Sequence, residues 1–171
     1  DFKEALESVT IAQTQKPKQV VVVQDGPVPS RIDEVIDEVT AKAEGIEITV
    51  LKKDVNQGLA AALNSGLELC KYDWVARMDS DDISVADRFE KQLKIMAEQD
   101  LDVLGGFMHE FCGTVDNIVA TREVPKTMEE IKKFIKTRNP FNHITVMFKK
   151  SKVLEAGNYQ DMHYVEDYFL W

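Results

Sequence analysis

Val20-Val21-Val22-Val23-Gln24-Asp25-Gly26-Pro27 reads as a strand that stops at a turn. Its β-branched residues follow one another without a polar residue between them. Such a run suits a strand buried on both faces of a parallel sheet, where no side of the strand meets water. Asp25-Gly26-Pro27 then breaks it, since Gly and Pro are the strongest local punctuators of structure.

Working outward, helical and strand periods alternate. Phe2, Ala5, Leu6 and Val9 recur at helical spacing before the valine run, and Ile32, Val35, Ile36 and Val39 after it. Residues 46–51 form a second strand pattern. Leu59, Ala62, Leu63, Gly66, Leu67 and Cys70 mark a third helix, and residues 74–78 a third strand. Phe89, Leu93, Met96 and Ala97 mark a fourth helix, followed by a strand at 101–104. This order predicts an α/β fold with a mainly parallel sheet flanked by helices and right-handed crossovers. Ligands of such sheets sit at the carboxyl ends of the strands, so the loops after Val23, Leu51 and Met78 are the places to look. After Gly105-Gly106 the spacing predicts strands at 107–112 and 117–121 around Gly113. A helix carrying Met128, Ile131, Phe134 and Ile135 follows, then a strand at 143–148 and the start of a helix at 165–171. No repeat, low-complexity stretch or flexible linker interrupts the chain, which reads as one domain over 1–171.

The chain has 171 residues, 44% hydrophobic and 30% charged, with a net charge of -9. That balance suits a soluble globular domain and argues against a nucleic-acid partner, which needs a basic face. It leaves a nucleotide ligand open, because a metal ion can carry the opposing charge locally. Cys70 and Cys112 read as reduced packing residues. No run approaches the roughly 20 apolar residues of a membrane span. Asp1, Lys3, Glu4 and Glu7 open the chain in a helical pattern rather than that of a signal peptide. A cytoplasmic location is the expectation, and a homo-oligomer is left open.

The strongest candidate for chemistry is Asp79-Ser80-Asp81-Asp82, at the carboxyl end of the third strand. Its carboxylates repel one another, and a divalent cation with a preference for hard oxygens, Mg²⁺ or Mn²⁺, relieves that. Ser84 and Asp87 have the form of a capping box; Asp79 and Asp81 lie too early to cap. Asp25 can accept hydrogen bonds from a base or ribose, although Asp-Gly-Pro is also ordinary turn chemistry. Gly58 at a helix entrance permits close approach of a ligand, and Asn56 can equally be a simple helix cap. Glu166 and Asp167 open a helix, where acids match the dipole. His109, His143 and His163 lack ligand spacing and read as structural or surface residues. Tyr168, Phe169, Leu170 and Trp171 read as a core-facing helix stretch.

These pieces resemble the family-2 glycosyltransferases, over almost the whole chain. Leu6-Glu7-Ser8 with Gln13-Thr14 and Lys16-Pro17 resembles that family's opening helix. Val20 to Gly26 is similar to the strand whose end carries the base-holding Asp. Asn56-Gln57-Gly58-Leu59-Ala60 with Asn64-Ser65-Gly66 resembles its Asn-x-Gly helix, and Asp79-Ser80-Asp81-Asp82 its metal-binding Asp-x-Asp motif. Asn139-Pro140-Phe141-Asn142-His143 and Gly157-Asn158-Tyr159 then precede Glu166-Asp167-Tyr168-Phe169-Leu170-Trp171, which is similar to the Glu-Asp motif that supplies the catalytic base. The family often has two acids where this chain has Gln24-Asp25, so the base contact rests on Asp25. Its members begin with a strand and a Pro-Thr-Tyr-Asn-like loop ahead of the helix in which this sequence opens. The resemblance therefore implies a sheet without its first strand and a chain without its C-terminal end.

The resemblance implies a GT-A, Rossmann-like fold, with a nucleotide-binding half at 1–104 and an acceptor-side half at 105–171. The implied reaction moves a sugar, with inversion, from a nucleoside diphosphate sugar (a UDP-sugar) to a hydroxyl of a glycan or lipid-linked acceptor. A surface polysaccharide or glycolipid pathway is implied, with membrane association through absent segments or partners. Asp25, Asn56, Gly58 and Asp79 would line the nucleotide site. Asp79 and Asp81 would ligate Mn²⁺ or Mg²⁺, and Asp167, supported by Glu166, would be the general base. A sugar nucleotidyltransferase is the rival enzyme class, and a non-catalytic nucleotide-binding fragment the rival outside enzymes.

Overall fold

The structure is a computed structural model that describes residues 2–162 and 165–171; Asp1, His163 and Tyr164, and with them the reading of His163, lie outside the described residues. The first part alternates as expected: α1 (Phe2–Ser8), β1 (Gln19–Gln24), α2 (Ser30–Thr40), β2 (Glu47–Lys52), α3 (Leu59–Leu69), β3 (Trp74–Ala76), α4 (Arg88–Gln99) and β4 (Val103–Leu104). The second part holds the hairpin β5 (Met108–Phe111) and β6 (Ile118–Arg122), then α5 (Met128–Phe134), a 3₁₀ turn at His143–Thr145, β7 (Met147–Lys149), α6 (Lys150–Glu155) and α7 (Glu166–Leu170).

The valine strand is covered on both sides. Val20 and Val22 of β1, with Ile48 and Val50 of β2, pack against Leu6, Val35, Ile36 and Val39 of α1 and α2. Val21 and Val23 face α3, which approaches so closely that a Cβ on Gly66 would lie 3.0 Å from Val23 Cγ2. β1 and β2 are parallel, with Val20 opposite Ile48 and Val23 opposite Leu51. β7 runs antiparallel between β3 and β4, so those two strands point the same way. The free edges of β1 and β3 face each other across an apolar slot, part of a cavity of about 770 Å³. Leu63, Gly66 and Leu67 of α3 line one side of it, and Leu6, Phe89 and Leu93 the other.

Local chemistry explains where the structure departs from the spacing. Residues 143–145 form a 3₁₀ turn rather than the start of a strand. Thr145 donates to Asn142 O through both its backbone N–H (2.9 Å) and its hydroxyl (2.7 Å), a side-chain bond that competes with a strand ladder. The expected capping box at Ser84 and Asp87 does not form. Ser84 N–H donates to Ser8 Oγ at 3.0 Å, and Asp87 caps α4 without a side-chain hydrogen bond. A true capping box sits at Thr127 and Glu130, at the start of α5. Cys70 and Cys112 are both free; Cys70 is half-buried at the end of α3, and Cys112 is exposed just past β5. Leu170 and Trp171 join the core around Phe148 and Tyr159, while Phe169 is exposed. Among the described residues, no helix is long and apolar enough to cross a membrane.

Candidate active site

β1 and β3 end at one cavity mouth, lined by Asp25, Asn56, Arg77, Asp79, Ser80 and Tyr159. Asp25 is placed by the abrupt end of β1. Gly26 follows with φ of +109°, a conformation that favours glycine, and a Cβ there would lie 2.9 Å from Asn56 N. That close approach lets the Asp25 carboxylate accept from Gln57 N–H (3.1 Å) and Gly58 N–H (2.9 Å), while Lys53 Nζ lies 3.4 Å from Oδ1. Asn56 Oδ1 accepts from the same Gly58 N–H at 3.0 Å. Asp25, Asn56 and Gly58 therefore form one assembly at the entrance of α3. Asn56 does not cap α3 as expected: Gly58 takes the N-cap position without a side-chain hydrogen bond, and Asn56 closes a local turn on Gly58 N–H. Asp25 keeps acceptor capacity for a ligand, because a carboxylate has about four lone-pair sites.

The acidic loop follows β3 directly. Asp79, Asp81 and Asp82 each present an oxygen, and these oxygens lie within 4.8 Å of one another. Three hard oxygen donors at this separation fit a small divalent cation. Asp79 also accepts from Arg77 Nη2 at 2.5 Å. Burial, and then the charges of Asp79 and Asp81, push the Asp82 carboxyl above its ordinary range. That is the electrostatic cost a cation would relieve.

Glu166 and Asp167 open α7, and with His143 they form a second cluster whose ligand atoms lie within 4.8 Å. Asp167 is held firmly. Its Oδ2 accepts from Asn139 Nδ2 at 2.5 Å and its Oδ1 from Tyr168 N–H at 2.8 Å. His143 Nδ1 lies 3.9 Å from the same Oδ2, and His143 Nε2 lies 3.0 Å from the Tyr159 hydroxyl. Burial, helped by the charge of Arg77, lowers the His143 pKa to about 3, so the ring is neutral at pH 7. Burial also raises the Tyr159 phenol.

The family model described as glycosyl transferase family 2 matches residues 2–157. The chain belongs to that family. A glycosyltransferase of Haemophilus influenzae, itself uncharacterised, is 44% identical over 171 residues, 99% of this chain and 62% of the relative. The Escherichia coli UDP-Gal:alpha-D-GlcNAc-diphosphoundecaprenol beta-1,3-galactosyltransferase is 38% identical over 171 residues, 99% of this chain and 60% of the relative. This chain thus spans about three fifths of the length of these relatives. Among solved structures, the mannosyltransferase PcManGT of Pyrobaculum calidifontis, in complex with GDP-Man and Mn²⁺, superposes with a TM-score of 0.66 at 15% identity. The match covers 93% of this chain and 43% of that one. At that identity the match establishes the GT-A fold and nothing further.

Within this family-2 domain, three residues at the site carry no role in the sequence reading: Asn139, Arg77 and Tyr159. His143, expected to be structural or on the surface, is enclosed beside Asp167. Arg77 did leave a signal, since a charged residue inside the apolar stretch Trp74–Met78 needs a partner when buried. Asn139 stands in a stretch that the family resemblance includes, but its pairing with Asp167 left no local signal, because the two lie 28 residues apart.

Proposed function

We propose that the protein transfers a sugar, with inversion, from a UDP-sugar to a hydroxyl of a glycan or lipid-linked acceptor, in surface polysaccharide or glycolipid synthesis. One observation carries the reading. The oxygens of Asp79, Asp81 and Asp82 converge just past β3, and Asp79 lines the same mouth as Asp25 and Asn56. A base and ribose would lie against Asp25, Asn56 and Gly58. A divalent cation, Mn²⁺ or Mg²⁺, would be held by Asp81 and Asp79 and, when bound, neutralises charge on the departing diphosphate.

The remaining work falls to the second cluster. As the acceptor oxygen forms its bond to the anomeric carbon, the bond from that carbon to the diphosphate breaks, and its electron pair leaves with the diphosphate oxygen. The proton of the acceptor hydroxyl passes to the Asp167 carboxylate. General-base help of this kind is worth about 10²–10⁴-fold. Hydrogen bonds from Asn139 and Tyr168 hold that carboxylate in place. Glu166 adds negative charge alongside. The E. coli relative, by its name, acts on a diphosphoundecaprenol-linked acceptor, which supports a lipid-linked acceptor here.

Titration with UDP, with and without Mn²⁺, for the wild type and Asp81→Asn, tests the donor site. Mn²⁺-dependent binding lost in the variant is the expected result, and binding indifferent to both sinks the metal assignment. Release of UDP rather than pyrophosphate separates transfer from nucleotidyl chemistry. An Asp167→Asn variant with undiminished turnover would remove Asp167 as the base.

A further inference from the structure

Arg77 stands between the acidic loop and the second cluster. Side chains alternate along an extended segment, so Arg77 shares the face of Val75, which packs with Val146, Phe148 and Tyr159. A charge on that apolar face is costly unless it is fully paired. Arg77 is only 7% exposed, yet its pairing is incomplete. Its main chain is secured: Arg77 N–H donates to Val146 O at 2.9 Å, and Arg77 O accepts from Arg88 Nη2 at 2.8 Å. Its side chain reaches Asp79 through Nη2, but Nε is enclosed and has no hydrogen-bond partner among the described residues. Asp79, its one side-chain partner among the described residues, keeps 42% of its side chain in solvent. A planar group with five donors is thus held rigidly at the cavity mouth with a donor to spare.

We infer that Arg77 receives the diphosphate of the nucleotide donor and releases Asp79 as the nucleotide binds. The inference rests on the donor-site reading above. Charge counting supports it. Three carboxylates beside two guanidiniums, those of Arg77 and Arg88, leave a local excess of one negative charge, which one divalent cation turns into an excess of one positive charge. Without Arg77 the mouth would be neutral rather than positive when a diphosphate arrived. Guanidinium groups also suit phosphate oxygens, because their donors are spaced for two parallel hydrogen bonds.

The experiment compares UDP with uridine, which has no phosphate, in saturating Mn²⁺, for the wild type, Arg77→Gln and Arg77→Lys. Arg77→Gln is expected to weaken UDP roughly tenfold or more and to leave uridine unchanged. Arg77→Lys, which keeps the charge but loses the fork, is expected to fall between the two. Equal losses for UDP and uridine, or none for either, would overturn the inference and leave Arg77 as a fixed tether for Asp79. Should Arg77→Gln fail to fold, Arg77→Lys decides on the same ratio: a selective loss of at least threefold for UDP supports the role, and an unchanged ratio overturns it. If wild-type protein shows no Mn²⁺-dependent binding of UDP, the donor-site reading itself has failed, a result distinct from a wild type that binds and a variant that binds equally well.

Discussion

Asn139 gives its side-chain amide to Asp167, with Nδ2 2.5 Å from Oδ2, and is itself fixed by Phe141 N–H, which donates to Asn139 Oδ1 at 3.1 Å. The pair ties the loop after α5 to the first turn of α7. Asp167 therefore arrives at the site already oriented, with both oxygens engaged.

Asn139→Ala should then lower turnover on the order of 10- to 100-fold, because a base that is free to swing loses its alignment with the acceptor. Donor affinity should stay near that of the wild type, since Asn139 does not line the nucleotide mouth. Steady-state kinetics with the donor varied check the split. A loss confined to the donor KM would count against the positioning role.

His143 makes stability depend on pH. In the fold its ring stays neutral down to about pH 3, because it is enclosed and Arg77 opposes a second positive charge. In the unfolded chain an ordinary histidine takes up its proton near pH 6.5. The unfolded state binds the extra proton between these values, so the contribution is intact above pH 6.5 and drains away as the pH falls. By pH 5 the loss should reach about 2 kcal/mol. Chemical denaturation of the wild type and His143→Gln at pH 7 and pH 5 checks this, with a flatter dependence expected for the variant whatever its starting stability.

Gly26 is the hinge of the donor-side assembly. Alanine there meets two penalties together: a backbone at φ of +109° and a Cβ 2.9 Å from Asn56 N, which is main chain and cannot swing aside. A strained φ alone costs about 1–3 kcal/mol. Gly26→Ala should lower stability by at least that much and push the Asn56-Gln57-Gly58 loop off Asp25. Thermal unfolding and UDP titration on the same sample should both worsen; an unaffected UDP affinity would show that the Asp25 assembly does not form the nucleotide site.

The parts of this molecule visible in its sequence are those governed by near neighbours. Four valines without alternation foretell a strand covered on both faces; Val20 and Val22 pack toward α1 and α2 and Val21 and Val23 toward α3, all four half-buried beside the slot. The loop Asp79-Ser80-Asp81-Asp82 announces itself because its carboxylates are adjacent. β7 is different. Residues 143–148 read as a strand, but nothing local shows that Met147–Lys149 inserts antiparallel between β3 and β4. Asn142 and Thr145 turn the first half of that segment into a 3₁₀ turn by bonding to Gly106 and to each other. The Asn139–Asp167 pair and the neutral His143 likewise depend on contacts between distant residues, which periodicity does not record.

Arg88 offers the last test, because it joins the acidic loop to the inserted strand. Its Nη2 donates to Arg77 O at 2.8 Å and to Val146 O at 3.2 Å, and its Nε donates to Gln92 Oε1 at 2.9 Å. Burial and the nearby Arg77 charge lower its pKa to about 10, so it is still charged at pH 7. Arg88→Ala removes the donor that Arg77 O relies on and leaves a gap beside Gln92. A buried carbonyl without a partner costs about 1–3 kcal/mol, and a loss of that size is expected in urea unfolding. Val146 O keeps its bond from Arg77 N–H, so β3 and β7 should remain paired. Hydrogen exchange distinguishes the two levels: amides around residues 77–82 should exchange faster in the variant, while those of Met147 to Lys149 keep their protection. Equal acceleration in both segments would mean that Arg88 holds the strand pairing itself rather than the loop that follows it.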